Sequence, residues 1–148
     1  MKHFFNLLMV IACTACAKPN YAEARRNQLN KTQGSICTLK FTQAQMCMTW
    51  TWLAAPTADN DGVMELRFAS PLSAGEAALP ADPPFAPFVY LWMPDMGHGS
   101  SPVRMEHVGT GIYRATNVFF SMPGLWEIHF QLRDGKKVID EAVERVRI

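Results

Sequence analysis

Met93, Met96 and His98 place two thioether sulfurs and one imidazole within six residues, in the stretch Leu91-Trp92-Met93-Pro94-Asp95-Met96-Gly97-His98-Gly99-Ser100-Ser101-Pro102. Thioethers are soft donors, and a mixture of soft sulfur and imidazole suits Cu(I) better than hard divalent cations. The same residues have a plain structural use. Methionine fills irregular gaps at the end of a core, and a histidine in a turn can simply be solvated. Which use applies depends on what the neighbouring elements bring to this loop.

The other chemically capable residues are fewer. Ser100 and Ser101 stand beside His98, but three consecutive loop residues do not reach the geometry of a nucleophile, a base and an orienting acid, and no such acid is evident. Neither a phosphate-cradling glycine loop nor a zinc motif is present. Asp59-Asn60-Asp61-Gly62 is turn-forming but lacks the ligand spacing and closing glutamate of a calcium loop. An enzyme is therefore the least supported class. His107 shares an apolar register with Val103 and Met105 and reads as a core or rim histidine satisfied by a neighbour. His129 falls on a polar face and reads as solvated.

The segments around the central loop read as short strands. Phe88 to Met93 is apolar throughout, which suggests a central strand buried on both faces. Thr38 to Phe41, Met48 to Trp52 and Met64 to Phe68 alternate. Ile112 to Phe120, a run from Trp126 with Ile128, Phe130 and Leu132 inward, and Val138 to Ile148 complete the set. Gly109-Thr110-Gly111, Ser121-Met122-Pro123-Gly124 and Asp134-Gly135-Lys136 mark turns. Pro71 to Pro87 holds five prolines and reads as a long surface crossover between sheets. Seven or eight short strands with turns at near-regular spacing mean an antiparallel sandwich. If strands 88–93, 102–108, 112–120 and 125–133 run up, down, up and down, loops 94–101 and 121–124 meet at one end. Met122 then joins Met93, Met96 and His98, giving three thioethers and one imidazole for Cu(I) or, equally, a sulfur-rich lid over Trp126.

The chain of 148 residues carries a formal net charge of +1, which gives no electrostatic support to a nucleic-acid or acidic-membrane partner. Met1-Lys2-His3 is basic, and Phe4 to Ala12 is apolar apart from Asn6. This run is too short to span a bilayer and fits a signal h-region. Cys13 and Cys16 each follow a small residue, as a lipid-attachment cysteine would. Ala22-Glu23-Ala24 offers ordinary cleavage instead. Each option sends the protein to the periplasm or cell envelope, and a lipid anchor is its one expected membrane attachment. Residues 25–34 read as a flexible linker. Cys37 and Cys47, the two remaining cysteines, are expected to pair as a disulfide in an oxidising compartment.

The run Leu91 to Ser100, followed by Gly111-Ile112-Tyr113 and then Phe120-Ser121-Met122-Pro123-Gly124-Leu125-Trp126-Glu127-Ile128, resembles the YtkA-like domain family and is similar to the periplasmic part of FixH-type proteins. The resemblance covers residues 86 to 148 and leaves out the Cys37–Cys47 half. It implies an immunoglobulin-like β-sandwich in an exported bacterial protein, and a loose link to assembly of copper-containing oxidases. The expectation is a signal segment at 1–24, a linker at 25–34, and an all-β, immunoglobulin-like antiparallel β-sandwich of seven to eight strands at 35–148. Its expected role is a non-catalytic accessory or binding protein, with Met93, Met96, His98 and Met122 as candidate Cu(I) ligands. The alternative is a structural or protein-interaction module of an envelope or efflux assembly, with an unknown envelope partner and no metal site.

Overall fold

The computed structural model describes residues 37–70 and 78–148. The expected signal segment, Cys13, Cys16 and the whole of the linker at 25–34 lie outside these residues. Nine strands follow in order: β1 (Leu39–Phe41), β2 (Met46–Ala54), β3 (Gly62–Ala69), β4 (Ala86–Met93), β5 (His98–Gly99), β6 (Arg104–Gly109), β7 (Ile112–Val118), β8 (Leu125–Asp134) and β9 (Lys137–Arg147). They form two sheets, ordered β1-β2-β3-β7-β6 and β5-β4-β8-β9, with every pairing antiparallel. The one strand beyond the expected seven or eight is β5, which at two residues is too short to show a period.

The core lies between the sheets. Met48, Trp50, Met64, Leu66, Phe68 and Ala115 face it from one side; Val89, Leu91, Met93, Trp126, Ile128, Phe130 and Leu132 face it from the other. Period-two alternation puts each set on one face of its sheet. Trp50 meets Phe130 with ring centroids 5.7 Å apart, and Phe120 meets Trp126 edge-on at 5.5 Å. These aromatic contacts between elements add about 0.5–1.5 kcal/mol each beyond the area they bury.

β4 lies inside its sheet, between β5 and β8, but it is not buried on both faces as its apolar run suggests. β8 covers one of its edges, but on the other only Trp92 and Met93 are paired, by the two-residue β5. Pro87 lacks an N–H, which suits a strand beside an edge. Phe88, Tyr90 and Trp92 are apolar because the outer face of β4 packs its own neighbours. The Arg133 guanidinium lies 3.4 Å from the Phe88 ring centroid, and Tyr90 stacks on His129 at 4.4 Å. β7 likewise ends at Val118, short of the expected Phe120, one residue after Asn117 takes a φ of 62°.

Three contacts close the sandwich away from the central loop. The Cys37 and Cys47 sulfurs are at bonding distance, 2.11 Å, and tie the segment before β1 to β2. Asp140 Oδ2 accepts the backbone N–H groups of Gln43 and Ala44 at 2.6 and 3.0 Å, so β9 clamps the β1–β2 turn. Glu144 accepts the indole N–H of Trp50 at 2.9 Å. Asp140 and Glu144 face inward because they share a strand face with Ala142 and Val146. Each brings its acceptor oxygens to a donor there, as a buried carboxylate must.

Candidate functional site

The central loop is a hairpin at the end of β4. The Met93 carbonyl accepts the N–H groups of Met96 at 3.2 Å and Gly97 at 2.9 Å, which closes a tight turn. Gly97 sits at φ 65°, a conformation that costs glycine little. The chain then returns as β5, where His98 pairs with Met93 and Gly99 with Trp92. Residues directly opposite in an antiparallel pair point to the same side, with Cβ atoms about 4.5–5.5 Å apart. Met93 is buried, so this pairing brings the imidazole to the core side of the sheet.

The second loop arrives as the up-down order of the strands requires. β4 and β8 run antiparallel with Trp92 opposite Glu127, so residues 121–124, just before β8, lie at the same end as residues 94–101. The Met93 methyl packs against Gly124, where φ is 146° and any Cβ would collide with it. Met122 is half-buried against the core, and its carbonyl accepts the Trp126 indole N–H at 3.0 Å. His98 meets Trp126 edge-on with ring centroids 5.9 Å apart. Met93, His98 and Met122 are therefore gathered around Trp126 and Gly124. Met96 is not gathered with them: it is 59% exposed at the tip of the turn.

The outer side of the loop is held by side chains. The Ser100 hydroxyl donates to the Phe119 carbonyl, and the Ser100 N–H donates to the Leu91 carbonyl at 3.3 Å. The Asn117 amide donates to the Pro102 carbonyl at 2.7 Å. Ser100 is thus engaged with backbone rather than with His98, and the arrangement is not that of a nucleophile and its base. His98 Nδ1 lies 3.0 Å from the Gly99 carbonyl oxygen. The tautomer that makes this a hydrogen bond carries its proton on Nδ1 and leaves the Nε2 lone pair available. A ring nitrogen donating to a backbone carbonyl is the usual way a metal-binding imidazole is oriented. The donor set therefore fits a soft monovalent cation: neutral imidazole and thioether sulfur. Among the described residues no group of three or more His, Cys, Asp or Glu side chains is placed to hold a metal ion, so nothing comparable exists for a harder one.

The other two histidines sit elsewhere. His107 is at the rim, as one of the expected alternatives had it. It shares the inward register with Met105 on the edge strand β6, and its Nε2 lies 3.0 Å from Asp82 Oδ1. That oxygen also accepts the Gly111 N–H at 2.7 Å and the Tyr113 hydroxyl at 3.4 Å, pinning the crossover to the β6–β7 turn. The Gly111 hydrogen bond, with His107 assisting, holds the Asp82 carboxyl below its usual range. His129 is not solvated, contrary to the sequence expectation. Its side chain is 12% exposed, with Nδ1 3.0 Å from Glu141 and Nε2 3.2 Å from Glu127. A polar strand face was read as a wet one. Here the facing side chains of β4 and β9 cover it: Tyr90 stacks on the ring, and Gln131 donates to Glu141. The hydrogen bond from Arg145 holds the Glu127 carboxyl down, with a smaller contribution from His129. Burial, with the nearby Glu141 charge, pushes the Tyr90 hydroxyl up.

Trp126 was expected beneath the methionines, whereas the close approach of Gly124 to the Met93 methyl is a contact that sequence could not supply. Its signal was the turn Met122-Pro123-Gly124 placed just before a buried aromatic. Asp140 and Glu144 were missed altogether, although alternation along 138–148 does put both on the side of Ala142 and Val146.

Residues 86–131, from the start of β4 to the middle of β8, match the model of the YtkA-like family. That segment contains the whole Met/His hairpin and the Met122 loop. No curated protein and no solved structure matches the chain.

Proposed function

We propose that this protein is an exported, non-catalytic accessory protein of the bacterial cell envelope that binds Cu(I) at the Met/His end of its sandwich. The observation that carries the reading is the cross-strand pairing of Met93 with His98. It joins a thioether to an imidazole whose Nδ1 faces a backbone carbonyl and whose Nε2 is left for a ligand. Met122 stands in the neighbouring loop as a second, half-buried sulfur, whereas Met96 stands apart on the solvent side. When bound, Cu(I) would take sulfur from the methionines and nitrogen from His98; the chain's part is to hold these donors at one end of a rigid sandwich. Export is supported by the basic start and apolar run of residues 1–12, with Cys13 or Cys16 as the candidate lipid site, and by the Cys37–Cys47 pair, which suits an oxidising compartment.

Anaerobic titration of the purified chain against a chromogenic Cu(I) chelator tests the reading. Withdrawal of one equivalent of Cu(I) per chain is expected. The second reading, an interaction module with no metal site, is favoured by the packing of Met93 on Gly124 and of His98 on Trp126, because a purely structural plug would look the same. It predicts that the chelator keeps all the copper.

A further inference from the structure

β9 stands at the edge of its sheet, with β8 on one side and, among the described residues, no strand on the other. Its open backbone groups can be assigned from the register. Gly124 and Ile148 exchange both backbone hydrogen bonds, each 2.9 Å long. In an antiparallel ladder such pairs alternate with pairs that exchange none. Counting in twos from Ile148, Val146, Glu144 and Ala142 turn their N–H and C=O groups toward β8, whereas Arg145, Val143 and Glu141 turn theirs outward. Asp140 Oδ1 accepts the Glu141 N–H at 3.0 Å. The other outward groups of these three residues form an open row, and such a row is a template for another strand. The side chains of the row lie on the outer face of the sheet, with Val143 42% exposed between an acid and a base. Glu141 uses Oε1 for His129 and Gln131, and Arg145 uses Nε and Nη2 for Glu127. Glu141 Oε2 and Arg145 Nη1 have no contact among the described residues. Charges usually guard an edge by repelling a second copy. Here opposite charges flank Val143 symmetrically, so the row is complementary to itself when read backwards.

We propose that β9 pairs antiparallel with β9 of a second copy of this chain, across a two-fold axis through Val143. Val143 then exchanges two backbone bonds with the partner's Val143, and the Arg145 N–H donates to the carbonyl of the partner's Glu141, once from each side of the axis. Residues directly opposite have Cβ atoms about 4.5–5.5 Å apart, so each Glu141 faces the partner's Arg145 within ion-pair reach. Charge selects this register over its neighbours. An axis through Glu144 sets that buried carboxylate against its own copy, and an axis through Ala142 sets Asp140 against the partner's Glu144. The contact is isologous and closed, as most homodimers are. It joins two four-stranded sheets into one of eight. Ile148 bonds to Gly124, against which Met93 packs, so the antiparallel pairing points the two Met/His ends in opposite directions and leaves both open. The pairing does not rest on the copper reading.

Sedimentation of the full chain over a range of concentrations, with two charge-reversal variants, tests the pairing. Wild type should sediment at twice the mass of one chain and fall to one on dilution. Glu141→Arg places two bases opposite each other at each end of the contact, and Arg145→Glu places two acids there. Each variant alone should associate about 100-fold or more weakly than wild type, because like charges facing each other across an interface cost several kcal/mol. Mixed in equal amounts, the two variants face each other acid to base at both positions, and the double mass should return. That recovery separates a broken interface from a broken fold, since two misfolded chains would not restore each other. Val143→Pro removes an N–H that faces away from β8, so it should abolish the dimer and leave the β8–β9 ladder and the circular dichroism spectrum intact. Wild type that remains at the mass of one chain throughout, single variants that dimerise as wild type does, or a mixture that stays monomeric would each overturn the proposal.

Discussion

Replacing Trp126 with alanine removes the side chain that joins the site to the core. Trp126 is fully buried, contacts Phe120 and His98 edge-on, and donates its indole N–H to the Met122 carbonyl. Truncating a buried aromatic costs about 3–5 kcal/mol in lost burial and residual cavity. The lost aromatic pairs and the orphaned Met122 carbonyl push the value toward the top of that range, since such terms overlap rather than add. For a domain of roughly 100 residues, 1 kcal/mol shifts Tm by about 4–8 °C, so a fall of about 20 °C or more is expected. Thermal and urea unfolding followed by circular dichroism measure it. Two milder variants separate the contributions. Trp126→Phe keeps a ring but loses the donor, and should cost about 1–3 kcal/mol. Met96→Ala removes an exposed tip and should stay within about 0.5 kcal/mol of wild type. The reasoning is refuted if Trp126→Ala melts within a few degrees of wild type, or if Met96→Ala is the more damaging change.

Thiol titration of unfolded, unreduced protein should find Cys37 and Cys47 oxidised; reduction should destabilise the domain by about 2–4 kcal/mol, and two titratable thiols at the outset would contradict the pairing. Asp140→Ala should cost about 1.5–3 kcal/mol in urea unfolding, because the Gln43 and Ala44 N–H groups lose a charged acceptor; an unchanged midpoint would mean that the clamp is idle. The Asp82 carboxyl is held below its ordinary value of 3.8, chiefly by the Gly111 N–H and then by His107. A depressed carboxyl contributes its stability above the unfolded pKa and loses it as pH falls through the folded one. Carbon-detected NMR titration should therefore show Asp82 protonating below 3.8, and Asp82→Asn should lessen the acid sensitivity of thermal melting at pH below that value.

Where residue type and period coincided, the sequence was readable. Trp126, Ile128, Phe130 and Leu132 alternate with polar residues, and all four are buried as that alternation requires. The up-down strand order was enough to bring Met122 to the end of the sandwich that holds Met93 and His98. What stayed hidden depends on partners distant in sequence. His129 looks solvated from its own strand, and only the register placing Tyr90 and Val143 opposite it shows that it is covered. The apolar run of β4 resembles a strand buried on both faces, because Tyr90 and Phe88 satisfy their outer side with a histidine ring and a guanidinium. His98 was expected on an exposed turn. Two-residue strands such as β5 carry no periodic signal, so its pairing with Met93 and its contact with Trp126 appear only in three dimensions.

The most direct test of the central claim compares Cu(I) affinity in wild type and His98→Ala. His98 is the one nitrogen donor among the candidate ligands, and the others are thioethers. Chelator competition under anaerobic conditions should show wild type taking Cu(I) from the chelator. His98→Ala, folded but lacking its ring on Trp126, should bind more weakly. Equal affinities for the two proteins would contradict a site built on His98 and leave the sulfur-lined end of the sandwich as packing alone.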